Sequence, residues 1–94
     1  MAKAVWNGQT LAESETFETV EGNIYFPDES IKREFFRPSS TTSSSPWMGQ
    51  ARYYSLIVDG QENPDAAWYY PDPKPAARSV KYHVAFWRGV EIIT

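Results

Sequence analysis

The stretch ARYYSLIVDGQENPDAAWYY, residues 51–70, places Asp59-Gly60 between two apolar and aromatic runs. Asp-Gly favours the positive φ angles of a two-residue hairpin turn. The first run, Ala51–Val58, is apolar or aromatic at both sets of alternating positions, so each side of a strand there needs shelter from water. We therefore predict a hairpin whose first strand is central in a sheet and covered on both faces.

Glycine-containing turn sequences elsewhere in the chain predict further hairpins. Asn7-Gly8 predicts a second hairpin, and Glu21-Gly22-Asn23 and Arg88-Gly89 predict a third and a fourth with weaker signals. The period-two alternation of apolar residues in Tyr82–Trp87 is typical of a strand. Repeated strands and turns of this kind predict a mainly β, antiparallel fold.

Helical and irregular segments are short. Pro27–Ser30 and Pro75–Ser79 can each form one helical turn, since proline is tolerated at a helix start. Ser39–Ser45 consists of serine and threonine alone, and we interpret it as a solvated loop. Two alternatives for it are a mobile lid leading to Trp47 and a phosphorylation site. We expect one or two helical turns in a single domain over residues 1–94.

Composition limits the classes of protein to consider. Ninety-four residues suffice for one hydrophobic core, and the 16% aromatic content supplies large side chains to fill it. The chain has no cysteine, so disulfides and thiolate metal sites are excluded. No apolar run approaches the roughly 20 residues of a membrane-spanning helix, and no signal peptide is visible. We expect a cytoplasmic protein with no membrane partner.

Charge and ligand patterns narrow the function further. The net charge is −3 and the nine basic residues are scattered, which argues against a nucleic-acid partner. A single histidine and isolated glycines provide neither a metal site nor a phosphate-binding loop, so we expect no metal and no cofactor. His83 or Asp65 as an acid/base group remains the basis for an alternative, a small-molecule enzyme.

The informative cluster is aromatic. Rings on neighbouring predicted strands can line a cleft that binds a planar or cationic small molecule, although the same rings can simply build a core. A third alternative is a protein-interaction module, such as a homodimer formed through a sheet edge. For the small-molecule hypothesis we assign walls and polar orienting groups: Trp47, Tyr53, Trp68 and Tyr70 as walls, with Arg37 and Asp65 as orienting groups.

Three motifs occur in a characteristic order: VEGNIYFP at 20–27, PW-x-G-x-A-x-YY at 46–54 and DAAWYYP at 65–71. In this order the chain resembles the family catalogued as domain of unknown function 427, over nearly its whole length. The resemblance implies a small β-tent-like fold, with two antiparallel sheets and a cleft between them, and no settled activity. Members of the family usually carry Cys and Lys in a CPWKG motif, where this sequence has Ser45 and Met48.

Overall fold

The computed structural model describes all residues, 1–94, and contains nine strands and three 3₁₀ helices. The strands are β1 (Ala2–Trp6), β2 (Gln9–Ser14), β3 (Glu18–Val20), β4 (Asn23–Pro27), β5 (Phe36–Ser45), β6 (Gly49–Val58), β7 (Gln61–Tyr69), β8 (His83–Phe86) and β9 (Glu91–Ile93). They form a three-stranded sheet, β2-β1-β9, and a six-stranded sheet, β3-β4-β8-β7-β6-β5, with antiparallel pairing throughout. The predicted mainly β, two-sheet fold is confirmed.

Three of the four predicted hairpins are present, each closed by a turn with two consecutive positive φ angles. The pairs are Asn7 and Gly8 at +50° and +78°, Glu21 and Gly22 at +53° and +80°, and Asp59 and Gly60 at +50° and +76°. These angles are those of type I′ turns, whose twist matches that of the flanking strands. The turns therefore set the β1–β2, β3–β4 and β6–β7 pairings.

The fourth predicted hairpin, at Arg88-Gly89, is wrong. Both residues have positive φ, +55° and +84°, and the amide of Val90 donates to the carbonyl of Trp87 at 3.3 Å, so a turn does form. The strands on either side of it belong to different sheets, however, because β8 pairs with β4 and β7 while β9 pairs with β1. The turn carries the chain from the large sheet to the small one.

The Ser39–Ser45 loop prediction is also wrong, because these residues belong to strand β5 at the edge of the large sheet. Thr42 to Ser45 pair with Arg52 to Gly49 of β6, and the register shifts between Pro38 and Thr42. The segment has no apolar alternation, and its backbone is ordered by pairing with the edge of β6.

The 3₁₀ helices are Asp28–Ser30, Arg33–Phe35 and Pro75–Val80. The first and third coincide with the two predicted helical turns, and the second was not predicted. None of the helices has the length and apolar character that crossing a membrane requires.

Two apolar clusters lie on opposite faces of the large sheet. The first includes Phe26, Leu56 and Val84 and joins them to residues of the small sheet, such as Leu11. The second lies behind the 3₁₀ helix Pro75–Val80 and consists of Tyr25, Met48, Ala51, Tyr70, Ala77, Val80 and Ala85. Tyr25 and Phe26, which are neighbours in β4, fall in different clusters because successive side chains of a strand point to opposite faces. Strand β6 contributes to both clusters, as predicted for a central strand.

Replacing Gly60 by Val is expected to lower the free energy of unfolding by about 1 kcal/mol or more. The residue has φ +76°, and an added Cβ would meet no atom within 4 Å, so the cost comes from the backbone conformation alone. Urea unfolding measures it, and Asp59→Asn is the control, since Asn tolerates the same conformation. An unchanged midpoint for Gly60→Val would contradict the turn.

Candidate ligand-binding site

A row of side chains crosses four strands on one face of the large sheet. Tyr53 of β6 is opposite Trp68 of β7, and Trp68 is opposite Ala85 of β8. The pairing of Phe26 with Val84 brings Tyr25 of β4 beside Ala85. Because Ala85 is small, the rings of Tyr25 and Trp68 meet above it, edge to face, with centroids 6.2 Å apart. Trp68 Nε1 also donates to the Tyr25 hydroxyl at 3.3 Å.

This row forms the floor of a cavity of about 190 Å³. Its lining side chains are Glu21, Asn23, Tyr25, Tyr53, Trp68, Tyr70 and Trp87. All of them belong to strands of the large sheet or to the turns beside those strands. The cavity is therefore on the face of the second apolar cluster and not, as predicted, between the two sheets, where the first cluster fills the space.

Trp87 forms a further wall of the cavity. Its ring meets that of Trp68 at 78° with centroids 5.8 Å apart, and that of Tyr53 at 37° and 6.4 Å. Trp87 Nε1 donates to the main-chain oxygen of Asp65 at 2.5 Å. The indole is thus held in one orientation although 43% of the residue is exposed.

The phenols of Tyr25 and Tyr70 in the cavity are neutral at physiological pH. Burial raises the pKa of Tyr70 to about 12, and the neighbouring Tyr25 adds to the effect. Burial also raises the pKa of Tyr25; the hydrogen bond from Trp68 opposes this rise and the charge of Glu21 supports it. Glu21 is then the one charged side chain among the lining residues.

A protein-family model described as "Domain of unknown function (DUF427)" matches residues 1–94, the whole chain. The chain belongs to the DUF427 family. The resemblance seen in the three sequence motifs is thereby confirmed. No curated protein matches the sequence.

Ser45 and Met48, the two positions where the family resemblance implies Cys and Lys, lie at the connection between β5 and β6. Ser45 Oγ accepts a hydrogen bond from the Met48 amide at 3.3 Å and so closes the turn after β5. Met48 is 1% exposed and packs in the second cluster with two lining residues, Tyr25 and Tyr70. In this DUF427 protein an apolar side chain therefore supports the cavity from behind.

Of the four predicted walls, Tyr53, Trp68 and Tyr70 line the cavity. Trp47 is not among the lining residues. Its Nε1 donates to Oε2 of Glu21 at 3.3 Å, so it contacts the cavity through that carboxylate. Trp47 is 39% exposed and lies at the rim of the cavity.

The two predicted orienting groups, Arg37 and Asp65, lie outside the cavity lining. The Arg37 guanidinium donates to the main-chain oxygens of Glu34 and Phe36. The Asp65 carboxylate accepts hydrogen bonds from Ser39 Oγ at 2.5 Å and Thr41 Oγ1 at 2.9 Å, and both bonds lower its pKa. Asp65 thus anchors the irregular part of β5, and its main-chain oxygen positions Trp87.

Four lining residues were not predicted: Glu21, Asn23, Tyr25 and Trp87. A signal for Trp87 existed, because it follows Ala85 by two positions and so continues the same face of the chain. The other three depend on the pairing of β4 with β8, which are distant in sequence. Nothing in either segment alone indicates that pairing.

A second cavity of about 230 Å³ contains His83 together with the ion pair of Arg33 and Asp28. His83 Nδ1 lies 2.8 Å from the carbonyl oxygen of Lys81, an acceptor, so Nδ1 carries a proton. His83 Nε2 has no hydrogen-bond partner in the protein. Nε2 is therefore available for a hydrogen bond to a bound molecule.

Proposed function

We propose that this DUF427 protein binds a small molecule in the cavity lined by Tyr25, Tyr53, Trp68, Tyr70 and Trp87. The observation that carries the proposal is the convergence of five aromatic rings around open space, together with two polar side chains, Glu21 and Asn23. Concave, mainly aromatic sites with a small number of polar groups are typical of ligand binding.

The competing interpretation is that the rings only fill a core. Rings that do so here are closed off from solvent, as Phe26 is at 0% exposure and, among the lining residues, Tyr25 at 2%. Trp87 is 43% exposed yet keeps a hydrogen bond that fixes its indole. A partly exposed ring that is held in place favours a preorganised binding surface.

The size of the cavity limits the ligand. At about 190 Å³ it is smaller than the roughly 300–1,000 Å³ typical of pockets for drug-sized molecules. A single ring or a compact branched group fits, whereas a nucleotide or a folded peptide does not. The ligand is therefore a small metabolite or one end of a longer molecule.

A thermal-shift screen against small metabolites tests the proposal. A ligand at about a hundred times its dissociation constant adds about 2.7 kcal/mol to stability, which raises the melting temperature of a domain of this size by roughly 10–20 °C. The variant Trp68→Leu keeps an apolar residue at the centre of the floor, and it is expected to lose the shift. No hit in the screen, or an equal shift in the variant, would contradict the proposal.

A second candidate function is acid/base catalysis by His83. It is supported by the second cavity, where Nδ1 is committed to Lys81 and Nε2 is free next to Arg33 and Asp28. Asp65 does not support it, since two hydroxyl donors stabilise its carboxylate and weaken it as a base. Turnover of a screened metabolite that is abolished in His83→Gln would favour the enzyme. Turnover equal to that of the wild type would exclude His83.

A further inference from the structure

The chemistry of the same cavity indicates a class of ligand. We propose that it binds a small organic cation, an ammonium group bearing methyl or short alkyl substituents, between the aromatic faces and the carboxylate of Glu21. This inference rests on the function proposed above and gives that function a ligand class.

The first argument is the arrangement of the rings. Trp68 meets Tyr25 at 90° and Trp87 at 78°, so neighbouring walls stand nearly perpendicular. The face of each ring carries the negative part of its quadrupole, and several faces around one space attract an alkylated ammonium ion. Such a cation is weakly hydrated, and its substituents pack against the rings.

The second argument is the charge of the lining. Glu21 is the one charged side chain there, and no lysine or arginine belongs to the lining. The phenols of Tyr25 and Tyr70 remain neutral through the physiological range, because their pKa values are raised. The residues that line the cavity therefore leave the exposed Glu21 carboxylate without a cationic partner, and an organic cation bound there would meet no competing lysine or arginine within the lining.

The third argument is how Glu21 is held. It occupies the first position of the β3–β4 turn, at φ +53°, and its Oε2 accepts a hydrogen bond from Trp47 Nε1 at 3.3 Å. Its Oε1 has no partner within the protein. One oxygen thus orients the carboxylate at the rim while the other is free to face a ligand.

A cation already rests on one of these rings. The guanidinium carbon of Arg88 lies 4.5 Å from the centroid of Trp87. Arg88 is not part of the lining, and the contact shows that the Trp87 ring already stacks with one positive group in this structure.

The test compares choline with its neutral carbon isostere, in which a tert-butyl group replaces the trimethylammonium group. Both are titrated into the ¹⁵N-labelled protein and followed by NMR. We expect choline to bind roughly five- to thirty-fold more tightly, the range that cation–π contacts support. Its methyl signal should move upfield, and the indole N–H signals of Trp68 and Trp87 should shift. The signal of Trp6, which packs against the first cluster, should not.

A pair of charge variants isolates the carboxylate. Glu21→Gln keeps the size of the side chain and an oxygen for Trp47, and is expected to weaken choline binding about five-fold while leaving the isostere unaffected. Glu62→Gln makes the same change in net charge on an exposed part of β7 and should alter neither affinity.

The outcomes separate this inference from the proposed function. Equal affinity for choline and the isostere, or choline binding unaffected by Glu21→Gln, would contradict the cationic ligand class. The proposal of an aromatic binding site would still stand. If neither compound binds and all hits in the metabolite screen are neutral or anionic, the cationic ligand class alone would be contradicted. An absence of any hit at this cavity would refute both.

Discussion

Replacing Phe26 by Ala is expected to lower the free energy of unfolding by about 3–5 kcal/mol. Phe26 is completely buried between the two sheets, and its ring meets that of Phe86 at 78° with centroids 5.6 Å apart. Truncation removes this contact and leaves a void. The void cannot close easily, because backbone pairing on both sides fixes the spacing of the strands.

This loss is large for a domain whose total stability is expected to be about 5–15 kcal/mol. Urea unfolding followed by tryptophan fluorescence measures it, with Phe26→Leu as a variant that retains most of the volume and should lose much less. Tyr82→Ala is the matched control, since Tyr82 is 73% exposed, and its effect should be within about 0.5 kcal/mol. Equal losses for Phe26→Ala and Tyr82→Ala would contradict the assignment of Phe26 to the core.

The parts of the fold that could be predicted are those decided by neighbouring residues. Asp59-Gly60 fixes two positive φ angles and so joins β6 to β7 without help from the rest of the chain. The same local argument located the turns at Asn7 and Glu21. Where the partner strand is chosen by the whole molecule, as after Arg88-Gly89, the local argument gave the turn but not the pairing.

Strand β5 is an element that its own residues do not predict. Its residues from Ser39 to Ser45 have no apolar alternation, so sequence patterning assigns them to a loop. Their order comes from elsewhere: the backbone of β6 pairs with them, and the Asp65 carboxylate accepts hydrogen bonds from two of their hydroxyl groups. A segment whose structure is imposed by a neighbour leaves little trace in its own sequence.

The residues of the candidate site were predicted or missed for the same reason. Tyr53 and Trp68 were predicted as walls because they lie on strands joined by a local hairpin, and they do share one face. Tyr25 and Glu21 were missed because they reach the cavity through the pairing of β4 with β8. Arg37 was predicted as an orienting group, but its side chain donates to the main-chain oxygens of Glu34 and Phe36.

Replacing Trp87 by Ala is expected to weaken ligand binding about thirty-fold or more, the range seen when a central aromatic residue of a binding site is truncated. Trp87 contacts both Trp68 and Tyr53 across the cavity, so its loss opens one wall to water. The cost in stability should be below the roughly 3–5 kcal/mol of a fully buried tryptophan, because 43% of the residue is exposed already. Binding and folding can therefore be measured separately in one variant.

Two further substitutions define what the Trp87 result means. Trp87→Phe keeps a ring but loses the N–H that binds the main-chain oxygen of Asp65, and it should retain part of the affinity. Trp47→Ala removes a tryptophan of similar exposure, 39%, that reaches the cavity only through Glu21, so we expect a loss of about three-fold or less. If Trp47→Ala abolished binding while Trp87→Ala left it intact, the ligand would contact the rim at Trp47 and not the ring-lined cavity.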